Sequence, residues 1–418
     1  MSDARQKSCY DFGYNLPAGI PWGRGHGWCL FSLSEVGGKG MTQHYQHLGI
    51  FSDWVEAAYR QHPLFPLARP GAETQQRVRE VLGFGNQPET PRHIRIEQRW
   101  ERAGLIGEEV SWSVGFGPRT HAYVFKPAGA AEPLPGIVAL HDHGAFKFYG
   151  KEKIADGPND PPSVVVAFRN KSYSGRAFAN ALAQSGFVVV VPDVFLWGSR
   201  KFPLATMPEP VQDVTAAVLK ATPPDESSPF EIAQYNTAAY HHEHWVAKYC
   251  NLLGTSLAGV VCYEDRIAVN YLLARPDVRP KRIGCIGLSG GGNRAAMLTA
   301  THEHIAATVI VGLMSTYEGL LDHNMSHTWM FFPFGWARYG DWPDLAACRA
   351  PSPLLVQYNV DDELFTEQGM RDADARLKMH YASVGKAEAY VGQFYPGPHK
   401  FNLEMQAAAF AWLKQALT

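Results

Sequence analysis

Six short, nearly unbroken apolar runs recur along this chain: Gly136–Leu140, Phe187–Val191, Arg282–Ile286, Ala307–Val311, Pro353–Tyr358 and Ala387–Val391. Runs of this length without polar alternation suit strands covered on both faces, as in a parallel sheet. Helix-like segments stand between them, at Gly175–Gln184, Cys262–Ala274, Asn293–Thr301, Gly369–Tyr381 and Leu403–Leu417. Upstream, Val110–Val114 and His121–Phe125 alternate in polarity and are joined by Gly115-Phe-Gly-Pro118, the pattern of an antiparallel hairpin at a sheet edge. Strand and helix units that alternate after an antiparallel start predict an α/β protein, with a mostly parallel central sheet and helices on both faces.

The 418 residues exceed one ordinary domain. Residues 1–104 read as an N-terminal accessory segment, largely helical near Gln43–Gln61 and Gln75–Leu82 after a Gly- and aromatic-rich start at Trp22–Trp28. Residues 105–418 read as the main domain. Two stretches break its rhythm: 200–250 carries Pro203, Pro208, Pro210, Pro223, Pro224 and Pro229, and 315–348 is crowded with Trp, Phe, His and Met. Both read as insertions beyond the carboxyl ends of strands, where open α/β sheets place their pockets.

A formal charge of -2, from 38 basic and 40 acidic side chains, gives no electrostatic reason to expect nucleic acid or an anionic membrane surface. A small, near-neutral molecule is the expected partner, and homo-oligomerisation is left open. The N-terminus shows no apolar signal region, so a cytoplasmic location is expected. Runs such as Phe187–Pro192 are far too short to cross a bilayer. Six cysteines are scattered without paired spacing and read as reduced and mostly buried.

The apolar run Arg282–Ile286 leads into Gly287-Leu-Ser289-Gly-Gly291 and then a helical stretch. This is G-x-S-x-G in a strand–turn–helix setting, which exposes a serine on a strained turn. Side chains two residues either way from Ser289 would collide with the neighbouring strand and helix, hence the glycines. By itself the string could also be an ordinary Gly-rich turn. A serine hydroxyl needs a base to take its proton and a carboxylate to orient that base. His399, in Gly397-Pro-His-Lys-Phe-Asn402, offers the base, and Asp361 and Asp362 both follow a buried-type strand. Asp362, three residues past the turn position Asn359, is the favoured acid.

For the oxyanion, the backbone N–H of Gly290 is one expected donor. The loop His141-Asp-His-Gly-Ala-Phe146 is expected to supply the second from Ala145, with Gly144 as the alternative. No metal and no cofactor are expected. His141 and His143 flank Asp142 without a third spaced ligand, and His241-His-Glu-His244 lacks the H-E-x-x-H spacing and reads as a polar patch or pocket wall.

Four motifs in order carry a family resemblance: His141-Asp-His-Gly-Ala, Pro192-Asp-Val-Phe-Leu-Trp-Gly-Ser-Arg200, Arg282-Ile-Gly-Cys-Ile-Gly-Leu-Ser-Gly-Gly-Gly292 and Gly397-Pro-His-Lys-Phe401. Over roughly residues 105–418 the chain resembles dienelactone-hydrolase-like and acetyl-xylan-esterase-like bacterial members of the α/β-hydrolase superfamily. The resemblance implies the α/β-hydrolase fold, with lid insertions, and the order nucleophile, acid, base met here as Ser289, Asp362 and His399. Glu363-Leu-Phe365, following Asp362, matches related chains. Dienelactone hydrolases use a cysteine nucleophile, so Ser289 departs from them and lactone specificity does not carry over. The implied activity is hydrolysis of a carboxylic ester of a small or medium-sized substrate through an acyl-enzyme intermediate. Open alternatives are a prolyl-oligopeptidase-type peptidase, against which no propeller repeat precedes the domain, a lactone or C–C bond hydrolase, and a catalytically silent binding protein. The aromatic run Trp329–Trp336 is expected to line an acyl or aryl pocket, or else to serve as core or interface.

Overall fold

The computed structural model, which describes residues 44–83, 88–224 and 228–418, gathers nine strands into one sheet: β1 (Arg92–Arg102), β2 (Leu105–Ser113), β3 (Thr120–Pro127), β4 (Leu134–Leu140), β5 (Val188–Pro192), β6 (Val278–Leu288), β7 (Ile305–Val311), β8 (Leu354–Asn359) and β9 (Tyr390–Tyr395). Their order is β1-β2-β3-β5-β4-β6-β7-β8-β9. Pairing is antiparallel from β1 to β5 and parallel from β5 to β9. The side-chain period of two splits each central strand between two cores. Val138, Leu140, Val190, Cys285, Ile310 and Val356 face one; Ile137, Ala139, Val189, Ile286, Val309 and Leu355 face the other.

Eleven α-helices accompany the sheet among the described residues: α1 (Trp54–Gln61), α2 (Ala72–Leu82), α3 (Ser163–Tyr173), α4 (Phe178–Gln184), α5 (Glu209–Ala221), α6 (Phe230–Leu252), α7 (Leu257–Leu273), α8 (Gly290–Thr301), α9 (Trp342–Ala347), α10 (Glu367–Ser383) and α11 (Leu403–Leu417). The first core is closed by α2, α7, α8, α9 and α10, and the second by Tyr173 of α3 with α4 and α11. Helices α5 and α6 pack on each other through a small core of their own, Met207, Val211, Tyr235, Ala238 and Ala239. No described helix is long and apolar enough to cross a membrane. Cys250, Cys262, Cys285 and Cys348 are free and buried; Cys9, Cys29 and the Trp22–Trp28 run lie outside the described residues.

The expected hairpin is present as β2 and β3. The boundary at residues 104 and 105 does not hold for the sheet, because β1 lies on its N-terminal side and pairs with β2 over its length. Strand β1 announces itself with no apolar run: almost every residue is exposed, as befits an edge strand kept from sticking to others by charge. It is held by the ladder, by the Arg99–Glu108 pair at 3.0 Å and by Trp100, whose ring fills the space a side chain at Gly107 would need. The helix expected over Gln43–Gln61 is not continuous: Gly49 (φ 54°) kinks a 3-10 segment at Gln46–Phe51, and α1 begins only at Trp54. The run at Ala387 starts as a 3-10 turn, and the strand begins at Tyr390. The prolines of the first insertion begin helices: Pro208 and Pro210 sit at the start of α5 and Pro229 caps α6, positions where a missing N–H costs nothing.

Candidate active site

Strand β6 delivers Ser289 to the carboxyl edge of the sheet at φ 56°, ψ −122°, a conformation non-glycine residues avoid and that costs about 1–3 kcal/mol. The turn is locked on both sides. Ser289 N–H donates to Val311 O at 2.8 Å, and Ser289 O accepts from Asn293 N–H at 2.9 Å. A Cβ on Gly287 would lie 2.4 Å from the Gly291 carbonyl carbon, and one on Gly291 would lie 2.1 Å from Leu140 O. The glycines therefore let β4, β6 and α8 approach closely enough to hold the serine. All twelve residues of α8 are buried, and its N-terminus, with the Gly290 N–H, opens beside Ser289.

Asp362 and His399 meet at the ends of β8 and β9. His399 Nδ1 lies 2.6 Å from Asp362 Oδ2, while Asp362 Oδ1 accepts from Leu364 N–H at 2.9 Å. Asp361, the other candidate, points elsewhere: its carboxylate accepts the Gly397 N–H at 2.7 Å and so pins the loop carrying His399. The His399 side chain is only 15% exposed, and its Nε2 is buried without a hydrogen-bond partner among the described residues. Its Cε1 edge packs at Gly312, where an added Cβ would lie 3.3 Å from it and 3.0 Å from Leu288, next to the elbow. Burial alone would lower the His399 pKa, but the charge and hydrogen bond of Asp362, with the Asp142 charge behind them, outweigh it and hold the imidazole above its ordinary 6.5.

The loop after β4 departs from expectation. Gly144 and Ala145 both take positive φ, 58° and 49°, and this tight turn directs the Ala145 N–H back onto His143 Nδ1 at 3.1 Å. The Ala145 N–H, expected as a free donor, is therefore taken up by the His143 ring. The His143 peptide packs against the start of α8: its N would lie 2.6 Å from a Cβ on Gly290. Arg294 of α8 fastens the loop by donating to His141 O at 3.1 Å while paired with Asp265 at 2.6 and 2.9 Å, all three buried.

The His143 ring itself reaches away, with Nε2 2.9 Å from Glu243 of α6. Both ring nitrogens are thus engaged, and no group of three or more metal-ligating side chains assembles among the described residues. Within His241–His244, His241 lines the cavity described next, Glu243 is buried and His244 Nδ1 accepts from Trp329 Nε1 at 2.8 Å. The sequence had suggested no role for Glu243 beyond a polar patch or pocket wall; only the fold brings it against a loop 100 residues away.

Ser289, Gly290, His143 and Ala145 open into a cavity of about 790 Å³. Both insertions wall it. The first contributes Val214, Ala217, Val218 and Ala221 of α5 with Tyr240 and His241 of α6, and the second contributes His327, Thr328 and Phe331. Trp329 is not part of the lining, whereas Phe331 is both lining and core, stacked on Trp342 at a centroid distance of 4.6 Å. His327, which no sequence pattern singled out, stacks between Phe331 and Phe365 at 5.2 and 4.8 Å, and burial pulls its pKa down to about 4.

Comparison with known proteins agrees with this architecture. A family model described as BAAT / Acyl-CoA thioester hydrolase C terminal matches residues 263–327, the stretch that holds the Ser289 elbow. A protein of Bacillus subtilis (strain 168) named "Putative hydrolase YtaP" is 24% identical over 323 residues, covering 76% of this chain and 90% of its own. Among solved structures, a "putative acetyl xylan esterase" from Bacteroides fragilis NCTC 9343 superposes with a TM-score of 0.57 at 17% identity, over 77% of this chain and 74% of that one. A glucuronoyl esterase from Solibacter usitatus gives 0.51 at 14% identity, over 83% and 92%. With its sheet order, its serine elbow after β6 and these neighbours, the chain has the α/β-hydrolase fold.

Proposed function

We propose that this chain is a serine hydrolase that cleaves a carboxylic ester of a small or medium-sized substrate through an acyl-enzyme intermediate. The observation that carries the reading is the 2.6 Å bond from His399 Nδ1 to Asp362, which leaves Nε2 buried and without a partner among the described residues, on a ring packed at Gly312 with Leu288, the neighbour of Ser289. Asp362 holds the ring with its proton on Nδ1, so Nε2 is free to take the Ser289 proton as Oγ attacks the ester carbonyl. Negative charge on the carbonyl oxygen is met by the N–H groups of Gly290 and, in place of Ala145, His143. His399 then protonates the leaving alcohol, and water attacks the acyl-enzyme by the same route in reverse. Hydrolysis of p-nitrophenyl acetate with covalent labelling by a fluorophosphonate tests the reading, and a chain that does neither is not a serine hydrolase.

Because His399 must be neutral to accept a proton and its pKa lies above 6.5, kcat/KM is expected to rise with pH through an apparent pKa above that value. Asp362 raises that pKa, so its removal moves the midpoint to lower pH. A profile flat from about pH 5 to 8 would speak against a histidine base.

The cavity does not suit an anionic acyl group: among the described residues its lining holds no Lys or Arg while Glu363 is part of it, and α5 offers an apolar stripe at helical spacing. Val218→Trp should fill that wall, so turnover of an octanoyl ester drops about tenfold or more relative to the acetyl ester. An unchanged chain-length profile would remove α5 from the acyl site. The match over residues 263–327 supports a second reading, hydrolysis of an acyl thioester by the same triad. Comparing acetyl-CoA with p-nitrophenyl acetate separates the two.

A further inference from the structure

The mechanism above uses the backbone of His143 and leaves its side chain without a role. That side chain is heavily constrained. Nδ1 accepts from the Ala145 N–H at 3.1 Å, so the proton sits on Nε2 and is donated to Glu243 Oε2 at 2.9 Å. Burial keeps the ring neutral by lowering its pKa, in accord with that tautomer, and the Trp197 ring packs edge-on against it at 5.1 Å. Glu243 also accepts from Lys147 Nζ. Its other oxygen, Oε1, accepts from Thr328 Oγ1 at 2.6 Å and from the Trp329 N–H at 2.9 Å. One buried carboxylate on α6 therefore ties the loop after β4, the first insertion and the second insertion to a single point. Burial would raise its pKa, but Lys147 and His143 outweigh that and keep it ionised.

We propose that Glu243 is a positioning residue: by gripping His143 Nε2 it orients the His143 peptide so that its N–H points at the oxyanion formed on Ser289. This rests on the serine-hydrolase reading above. Without the carboxylate, the ring loses the acceptor that fixes its tautomer: the other bonds from α6 to this loop reach Lys147 and Phe148, beyond the turn, at Ala239 O and Asn236 Oδ1, and Lys153 holds the carbonyls of Asp142 and His143 but not the ring. The groups that suffer are those that act only in the transition state, so ground-state binding in the cavity should be spared.

In Glu243→Gln one of the two acceptor oxygens becomes an amide nitrogen, so either the Nε2–H of His143 with Lys147 or the Trp329 N–H is met donor against donor, and the single point that ties the three segments is broken. Losing one oxyanion donor outright costs on the order of 10²–10³ in kcat; a misdirected donor is expected to cost about 10- to 100-fold, with KM for p-nitrophenyl acetate little changed. The inhibition constant of a trifluoromethyl ketone, whose hemiketal oxygen occupies the same hole, should rise in parallel. A purely structural role makes a different forecast, because Glu243→Gln strands the buried Lys147 charge. The double variant Glu243→Gln with Lys147→Met removes that charge. If Glu243 only neutralises Lys147, the double variant regains both Tm and kcat; if Glu243 positions His143, Tm recovers and the kcat and inhibitor deficits persist. Glu243→Asp, which keeps the charge while withdrawing the carboxylate from His143, reads the same kinetics should the other variants fail to fold. The proposal is overturned if kcat and the inhibitor constant stay within about twofold of wild type in the folded variants, or if the double variant regains full kcat. Turnover that survives Ser289→Ala would instead overturn the serine reading itself.

Discussion

Ser289→Ala is expected to give a folded protein that no longer reacts with fluorophosphonate and hydrolyses p-nitrophenyl acetate only at the residual rate left by binding and the oxyanion donors. In hydrolases with such a triad, losing the nucleophile costs about 10⁶-fold in kcat. The measurement is turnover of the purified variant beside its labelling, and undiminished labelling would transfer the nucleophile's role elsewhere. A companion variant reads the strain directly. Ser289 is held at φ 56°, which glycine adopts freely, so Ser289→Gly should be equally inactive yet more stable to denaturant, by about 1–3 kcal/mol. Such a gain on deleting a reactive group would mean that the fold holds the serine against its own preference. Equal or lower stability would mean that the elbow is not strained.

Asp362→Asn is expected to lower kcat by about 10⁴-fold, the scale seen where a triad carboxylate is replaced and the histidine takes the wrong tautomer. The geometry gives the reason. An amide nitrogen facing His399 Nδ1 would donate to it, which places the imidazole proton on Nε2, where it blocks acceptance from Ser289. Asp361→Asn is expected to do far less to the chemistry, since Asp361 contacts the Gly397 N–H and not the imidazole. The reverse ranking would make Asp361 the acid. The two variants should also differ in pH profile: removing the Asp362 charge shifts the rise to lower pH, because that charge is what holds the His399 pKa up, whereas Asp361→Asn should leave the midpoint in place.

How far the chain could be read without its structure depended on the range of the interactions involved. The central strands were legible because an apolar run such as Phe187–Val191 reports burial on both faces through neighbours in sequence. The elbow was legible because its glycines answer local crowding: Gly287 against Gly291, and Gly291 against Leu140 O. Asp362 and His399 were legible as residues just past strands, where open α/β sheets gather functional groups. Strand β1 was not, since an exposed edge strand held by backbone pairing carries no hydrophobic signal. The helices of the first insertion were obscured by prolines, which break a helix inside it and begin one at its first turn.

The amino-acid sequence by itself determined the α/β layering, the serine on its strained turn and the order of serine, aspartate and histidine, because each follows from periodicity or from steric demands within a few residues. Tertiary structure alone decided that the Ala145 N–H is taken up by His143 Nδ1 and that the His143 peptide lies against Gly290, because that depends on how a turn with two positive φ angles lies against α8. It alone brought Glu243 to His143, Lys147, Thr328 and Trp329. A buried carboxylate must find its partners among whatever groups the fold carries into reach, and those groups need not be near it in sequence.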